Sequence, residues 1–77
     1  MPKSPLAGIS VLLLEDEVLL RKRLAAFLEK EGAEVIAVNT VAAARQALDG
    51  MSFDSAVIDV NLPDGRGTDL LRDKLFP

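Results

Sequence analysis

Two short apolar runs in this chain each end abruptly in acid, and that pairing constrains the fold more than any other feature of the sequence. Val11-Leu12-Leu13-Leu14 runs into Glu15-Asp16-Glu17, and Ala56-Val57-Ile58 runs into Asp59. The first run is continuous rather than alternating, which is the pattern of a strand covered on both faces, as in a parallel sheet flanked by helices. The second is bounded downstream by the turn residues Asn61, Pro63, Asp64 and Gly65. Open parallel α/β sheets carry their ligands outside the carboxyl ends of the strands, which is where these acids fall. A lone aspartate in such a place is no more than a polar residue opening a turn. The acidic cluster Glu15-Asp16-Glu17, placed alike at the end of another apolar run, makes Asp59 a candidate reactive carboxylate.

The intervening segments supply covering layers. From Glu17 to Glu31, Leu20, Leu24, Phe27 and Leu28 fall at i, i+4, i+7 and i+8, one apolar stripe of a helix. Asp16 is its expected N-cap, acid in the first turn complements the helix dipole, and Gly32 stands where a left-handed residue ends such a helix. Glu34 to Val38 is a β-branched strand. Asn39 and Thr40 are cap candidates for a helix over Val41 to Leu48, ending before Asp49-Gly50, whose alanine-rich face predicts close packing. Phe53 to Val60 returns to strand, with Asp54 and Ser55 at its start. After the Pro63-Asp64-Gly65 turn, Thr68 or Asp69 is expected to cap a third helix bearing Leu70, Leu71 and Leu75. Met1 to Gly8 holds two prolines and a glycine and reads as a flexible N-terminal arm, which leaves residues 9–77 for the folded part.

The pattern β-α-β-α-β-α gives the fold class α/β, with a parallel sheet and right-handed crossovers. Periodicity does not give the strand order, but the acids favour one. With the first strand between the second and third, order 2-1-3, Asp16 and Asp59 leave neighbouring strands about 5 Å apart at the backbone; order 1-2-3 roughly doubles that distance. Carboxylates converging there repel, and a cation between them resolves the repulsion. Oxygen donors suit Mg²⁺, which takes one or two carboxylates together with water and phosphate oxygens. Asp59 can then be a metal ligand only, or also a nucleophile toward phosphorus.

Composition removes the competing chemistries. Seventy-seven residues make one domain at most, and a chain of that size buries only about 60% of its unfolded surface. A chain 49% hydrophobic and 27% charged is a folding, soluble one. The formal charge is −3 and the only basic run is Arg21-Lys22-Arg23, which reads as a solvated helix face, so no nucleic-acid surface is expected. With no cysteine and no histidine, the chain has no thiolate nucleophile, no Cys-based zinc site and no imidazole base. No apolar run approaches membrane-spanning length and no leader peptide is evident, so a cytoplasmic protein without membrane contact is expected.

The run Val11-Leu12-Leu13-Leu14-Glu15-Asp16-Glu17, followed about forty residues later by Val57-Ile58-Asp59-Val60-Asn61-Leu62-Pro63-Asp64-Gly65-Arg66-Gly67, resembles the receiver domain of two-component response regulators. An acidic pair alone is a weak signal, whereas the pair with this second segment at this distance is specific. The resemblance covers nearly the whole chain from Ile9 onward. It implies a flavodoxin-like doubly wound sheet, of which order 2-1-3 is the first part. It also implies that Asp59 is the phosphoacceptor, taking a phosphoryl group from a histidine kinase, a phosphotransfer protein or a small phosphodonor. Glu15 and Asp16 match the family's acidic pair, with Asp16 the direct or water-mediated Mg²⁺ ligand. Asn61 matches the position whose backbone carbonyl completes the metal site. Such a domain is a signalling module in a phosphorelay, not an enzyme beyond Mg²⁺-dependent self-phosphorylation.

Members of the family have five β/α units, and this sequence stops at the third. The expectation is therefore the N-terminal portion of a receiver, truncated, with strands 4 and 5 and their switch residues missing. Thr68 and Lys74 do not replace them. An exposed third strand would recruit a second copy, giving a homo-oligomer through that edge. The competing expectation is a receiver-like binding or dimerisation module without phosphotransfer. A carboxylate-based phosphatase is disfavoured because Asp59-Val60-Asn61 replaces the Asp-x-Asp that such hydrolases carry. A dinucleotide fold is disfavoured because an acidic turn stands where a glycine-rich loop is needed.

Overall fold

A computed structural model of the chain describes residues 5–59, 61–62 and 65–66. Three strands, β1 (Ser10–Leu14), β2 (Glu34–Val38) and β3 (Ser55–Ile58), form a parallel sheet in the order β2-β1-β3. The fold is the expected one, the first part of a flavodoxin-like α/β sheet. Central β1 faces Val38 with Leu14 on one side and Ile58 with the same residue on the other. Val11 to Leu14 are all buried, as a strand covered on both faces requires.

The helix α2 (Val41–Gly50) starts at Thr40, whose hydroxyl oxygen accepts a hydrogen bond from the Ala43 N–H at 3.0 Å. It runs two residues further than its composition suggests, through Asp49 and Gly50. Ala44 is fully buried and packs with Val41 against Leu12 and Leu14, so the alanine face brings the helix close to the central strand. These four residues form the core cluster, with Ala47, Leu48, Phe53, Ala56 and Ile58 around it.

Helix α1 (Val18–Lys30) departs from the sequence expectation at both its start and its face. Its N-cap is Glu17, not Asp16, and no side chain caps it; no acid stands in its first turn. The reason lies in the preceding turn, where the Glu15 carboxylate accepts from the Glu17 N–H and Asp16 joins a carboxylate cluster instead. At the other end Gly32 takes φ 103°, the Gly32 N–H donates to the Glu29 carbonyl and the Ala33 N–H to the Leu28 carbonyl. That pair of bonds is the Schellman arrangement, which glycine allows without a Cβ clash. The face turned inward is Arg21, Leu24, Ala25 and Leu28, all partly buried at i, i+3, i+4 and i+7, while Leu20 and Phe27 are 39% and 58% exposed. Arg21 is therefore part of the packed face, and the basic triplet is not uniformly solvated.

The turn of residues 5–8 is tied to the end of α1, with the Leu6 N–H donating to the Glu31 carbonyl. Beyond β3, the segments β4 (Asn61–Leu62) and β5 (Gly65–Arg66) pair antiparallel, Asn61 opposite Arg66 and Leu62 opposite Gly65, a small hairpin the sequence suggested only as a turn. Strand β3 is shorter than the expected Phe53 to Val60. Val60 and the expected third helix, with its Thr68 or Asp69 cap, lie outside the described residues.

Candidate functional site

The register of the sheet sets the position of every acid at its carboxyl edge. At the opposite edge, Ser10 and Asp54 lock β1 to the start of β3. The Ser10 N–H and hydroxyl donate to one Asp54 carboxylate oxygen at 2.9 and 3.1 Å, and the Asp54 N–H lies 3.0 Å from the Ser10 carbonyl and 3.1 Å from its hydroxyl oxygen. Those hydrogen bonds to the Ser10 backbone and hydroxyl hold the Asp54 carboxyl below its ordinary range. Five residues along each of the two strands from this clamp stand Glu15 and Asp59. A slip of one residue would turn each side chain of β3 to the other face, so the clamp also determines where Asp59 points.

Backbone hydrogen bonds carry the register past the strand ends. The Glu15 N–H donates to the Val38 carbonyl of β2 at 3.1 Å, and the Asp59 N–H to the Leu14 carbonyl of β1 at 2.9 Å. Asp59 is thereby pinned beside the point where β1 gives way to the acidic turn. Glu15, Asp16 and Asp59 each bring one carboxylate oxygen to within 4.8 Å of the other two. Glu15 and Asp59 are partly buried and Asp16 is exposed. The adjacency expected from the strand order is present.

Three carboxylates at such range form an all-oxygen donor set on one open side of the sheet, which is the chemistry of a hard divalent cation of the Mg²⁺ type. The residues present fit that group. With Glu17 they help to line an open groove of about 530 Å³, to which Leu13 and Val57 from the sheet and Leu20 and Leu24 from α1 add apolar surface. Partial burial of Glu15 and Asp59 would strengthen their attraction for such a cation relative to free carboxylates. Asn61 opens β4 two residues beyond Asp59. Asp64 lies outside the described residues.

Arg21 was not singled out by the sequence reading. Its guanidinium Nη1 donates to the Glu15 carbonyl at 3.0 Å and to the Asp16 carbonyl at 3.4 Å. The available signal was its spacing, since Arg21 precedes Leu24, Ala25 and Leu28 by three, four and seven residues.

The family model for the response regulator receiver domain matches residues 11–73, most of the chain. No curated protein matches it.

Proposed function

Because the chain belongs to the response regulator receiver domain family, a family of signalling modules, we propose that it is a phosphoacceptor of a two-component phosphorelay, with Asp59 as the residue that takes the phosphoryl group. Glu15, Asp16 and Asp59, with the backbone carbonyl of Asn61, are the proposed Mg²⁺ ligands. The observation that carries this reading is the convergence of acids from two neighbouring strand ends to within 4.8 Å of one another. The groove that these acids help to line is open enough for a phosphodonor to approach.

In the proposed reaction a carboxylate oxygen of Asp59 attacks phosphorus. The bond from phosphorus to the donor's nitrogen or oxygen breaks, the leaving group keeps its electron pair, and an acyl phosphate results. A carboxylate nucleophile requires no general base, which suits a chain without histidine or cysteine. Bound Mg²⁺ would supply charge neutralisation for the incoming phosphoryl group. The chain's own contribution is positional: the hydrogen bond from Asp59 N–H to the Leu14 carbonyl fixes the nucleophile, and the Glu15 backbone bond to β2 fixes the acidic turn.

The donor on this reading is a histidine kinase or a phosphotransfer protein, and the module works in the cytoplasm. Among the described residues no helix is long and apolar enough to cross a membrane. Incubation with Mg²⁺ and acetyl phosphate tests the reading. It predicts a mass gain of one phosphoryl group that is lost in Asp59→Asn; no gain, or an equal gain in the variant, would overturn it.

A further inference from the structure

We propose that Arg21 is a positioning residue for the acidic cluster: its guanidinium, anchored on the Glu15 and Asp16 carbonyls, holds the turn in the shape that lets both carboxylates meet Asp59. The inference rests on the proposed metal-binding role of those acids and adds a residue to it. The turn has few other restraints. Glu17, the N-cap of α1, makes no side-chain capping bond, and Asp16 sits in a bend between strand and helix. What shapes the turn from within is the Glu17 N–H bond to the Glu15 carboxylate at 3.1 Å. That bond spans two residues and leaves the carbonyls of Glu15 and Asp16 for an outside donor. Arg21 supplies it from the first turn of α1, where its own N–H is already committed to the Glu17 carbonyl at 2.8 Å.

Two further features favour this role over a chance surface contact. Arg21 is partly buried on the face shared with Leu24, Ala25 and Leu28, so its stem is confined by packing while Lys22 and Arg23 are exposed. A planar guanidinium can also serve two carbonyls at once, which an ammonium on a flexible stem does less well. The bonds run to carbonyl oxygens, so the positive charge organises the backbone of the turn.

The charge and the positioning role predict opposite signs, and that makes the test sharp. A cation beside a Mg²⁺ site repels the metal, so removing it by Arg21→Met would tighten binding if charge were all that mattered. If Arg21 positions the turn, the same substitution weakens binding, on the order of tenfold, the usual cost of losing a group that orients metal ligands. The experiment is calorimetric titration of the full chain with Mg²⁺ for wild type, Arg21→Met and Arg21→Lys, with amide hydrogen exchange of Glu17 measured in metal-free buffer. The expected result is weaker binding and faster Glu17 exchange in Arg21→Met, unchanged exchange at Leu12 and Leu13, and partial recovery in Arg21→Lys. Equal or tighter binding by Arg21→Met, or exchange at Glu17 unaltered, would overturn the role. Wild-type protein that takes up no Mg²⁺ would overturn the proposed metal site itself. The Glu17 exchange rate would then decide alone whether Arg21 holds the turn.

Discussion

Replacing Asp16 with asparagine should make the metal-free protein more stable and the metal-loaded protein less so. Asp16 brings a carboxylate oxygen within 4.8 Å of both the Glu15 and the Asp59 carboxylates. Two like charges at that distance repel by about 0.9 kcal/mol at the dielectric constant of water. Asp16 is exposed, so the aqueous value is the right starting point, and about 0.1 M salt screens it further. Relief of both repulsions then contributes roughly 1 kcal/mol, which in a domain of this size raises Tm by about 4–8 °C. With Mg²⁺ at about one hundred times its Kd, wild type gains about 2.7 kcal/mol by mass action. The variant, one ligand short, gains much less, and the order of stabilities reverses. Thermal unfolding followed by far-UV circular dichroism, in EDTA and then in Mg²⁺, reads both halves. Adding 1 M salt to the EDTA sample should shrink the variant's advantage. A variant that melts below wild type in EDTA would refute the reasoning, because it would mean the carboxylates are not close enough to repel.

Three other outcomes follow from the packing and the clamps. Leu12 is fully buried against Val41 and Ala44, and Leu12→Ala should cost about 3–5 kcal/mol, a large part of the roughly 4–12 kcal/mol available to 77 residues; urea denaturation showing a loss under about 1 kcal/mol would contradict the assigned core. The Asp54 carboxyl is held below its ordinary value by Ser10, so its contribution to stability is present above the unfolded pKa near 3.8 and is lost as pH falls through the lower folded value; Ser10→Ala should flatten that acid limb of the stability curve, and an unchanged limb would remove the clamp from the account. Among the described residues β3 pairs with β1 alone and Val57 is 40% exposed, so the protein should associate at high concentration and Val57→Lys should reduce that association; sedimentation showing a wild-type monomer at all concentrations would end that proposal.

The sheet was legible because its strands are short, unambiguous apolar runs whose ends are marked by acid. Periodicity did not give the order 2-1-3: the placement of Asp16 and Asp59 at two strand ends favoured it, and the receiver resemblance implied it. Gly32 was legible because a positive φ favours glycine, and Thr40 was legible as one of two cap candidates, beside Asn39, because its hydroxyl can accept from the helix's first N–H groups. The orientation of α1 was not, since Leu20 and Phe27 are as apolar as Leu24 and Leu28. The face that turns inward was chosen by packing against the sheet, which drew Arg21 in and left Phe27 out. The Ser10 and Asp54 clamp joins residues 44 apart, and no local pattern announces such a pair. Asp16 reads as a helix cap in any local view, and only the arrival of Asp59 from β3 shows why it stands in a carboxylate cluster instead.

The claim on which the rest depends is that the acids at two strand ends bind a cation and make one of them, Asp59, reactive toward phosphorus. Peptide mapping of wild-type protein after exposure to acetyl phosphate, with Mg²⁺ in one sample and EDTA in the other, addresses it most directly. The account predicts a phosphoryl group on the peptide containing Asp59 in Mg²⁺ and none in EDTA. Labelling at another residue, or equal labelling without metal, would contradict it.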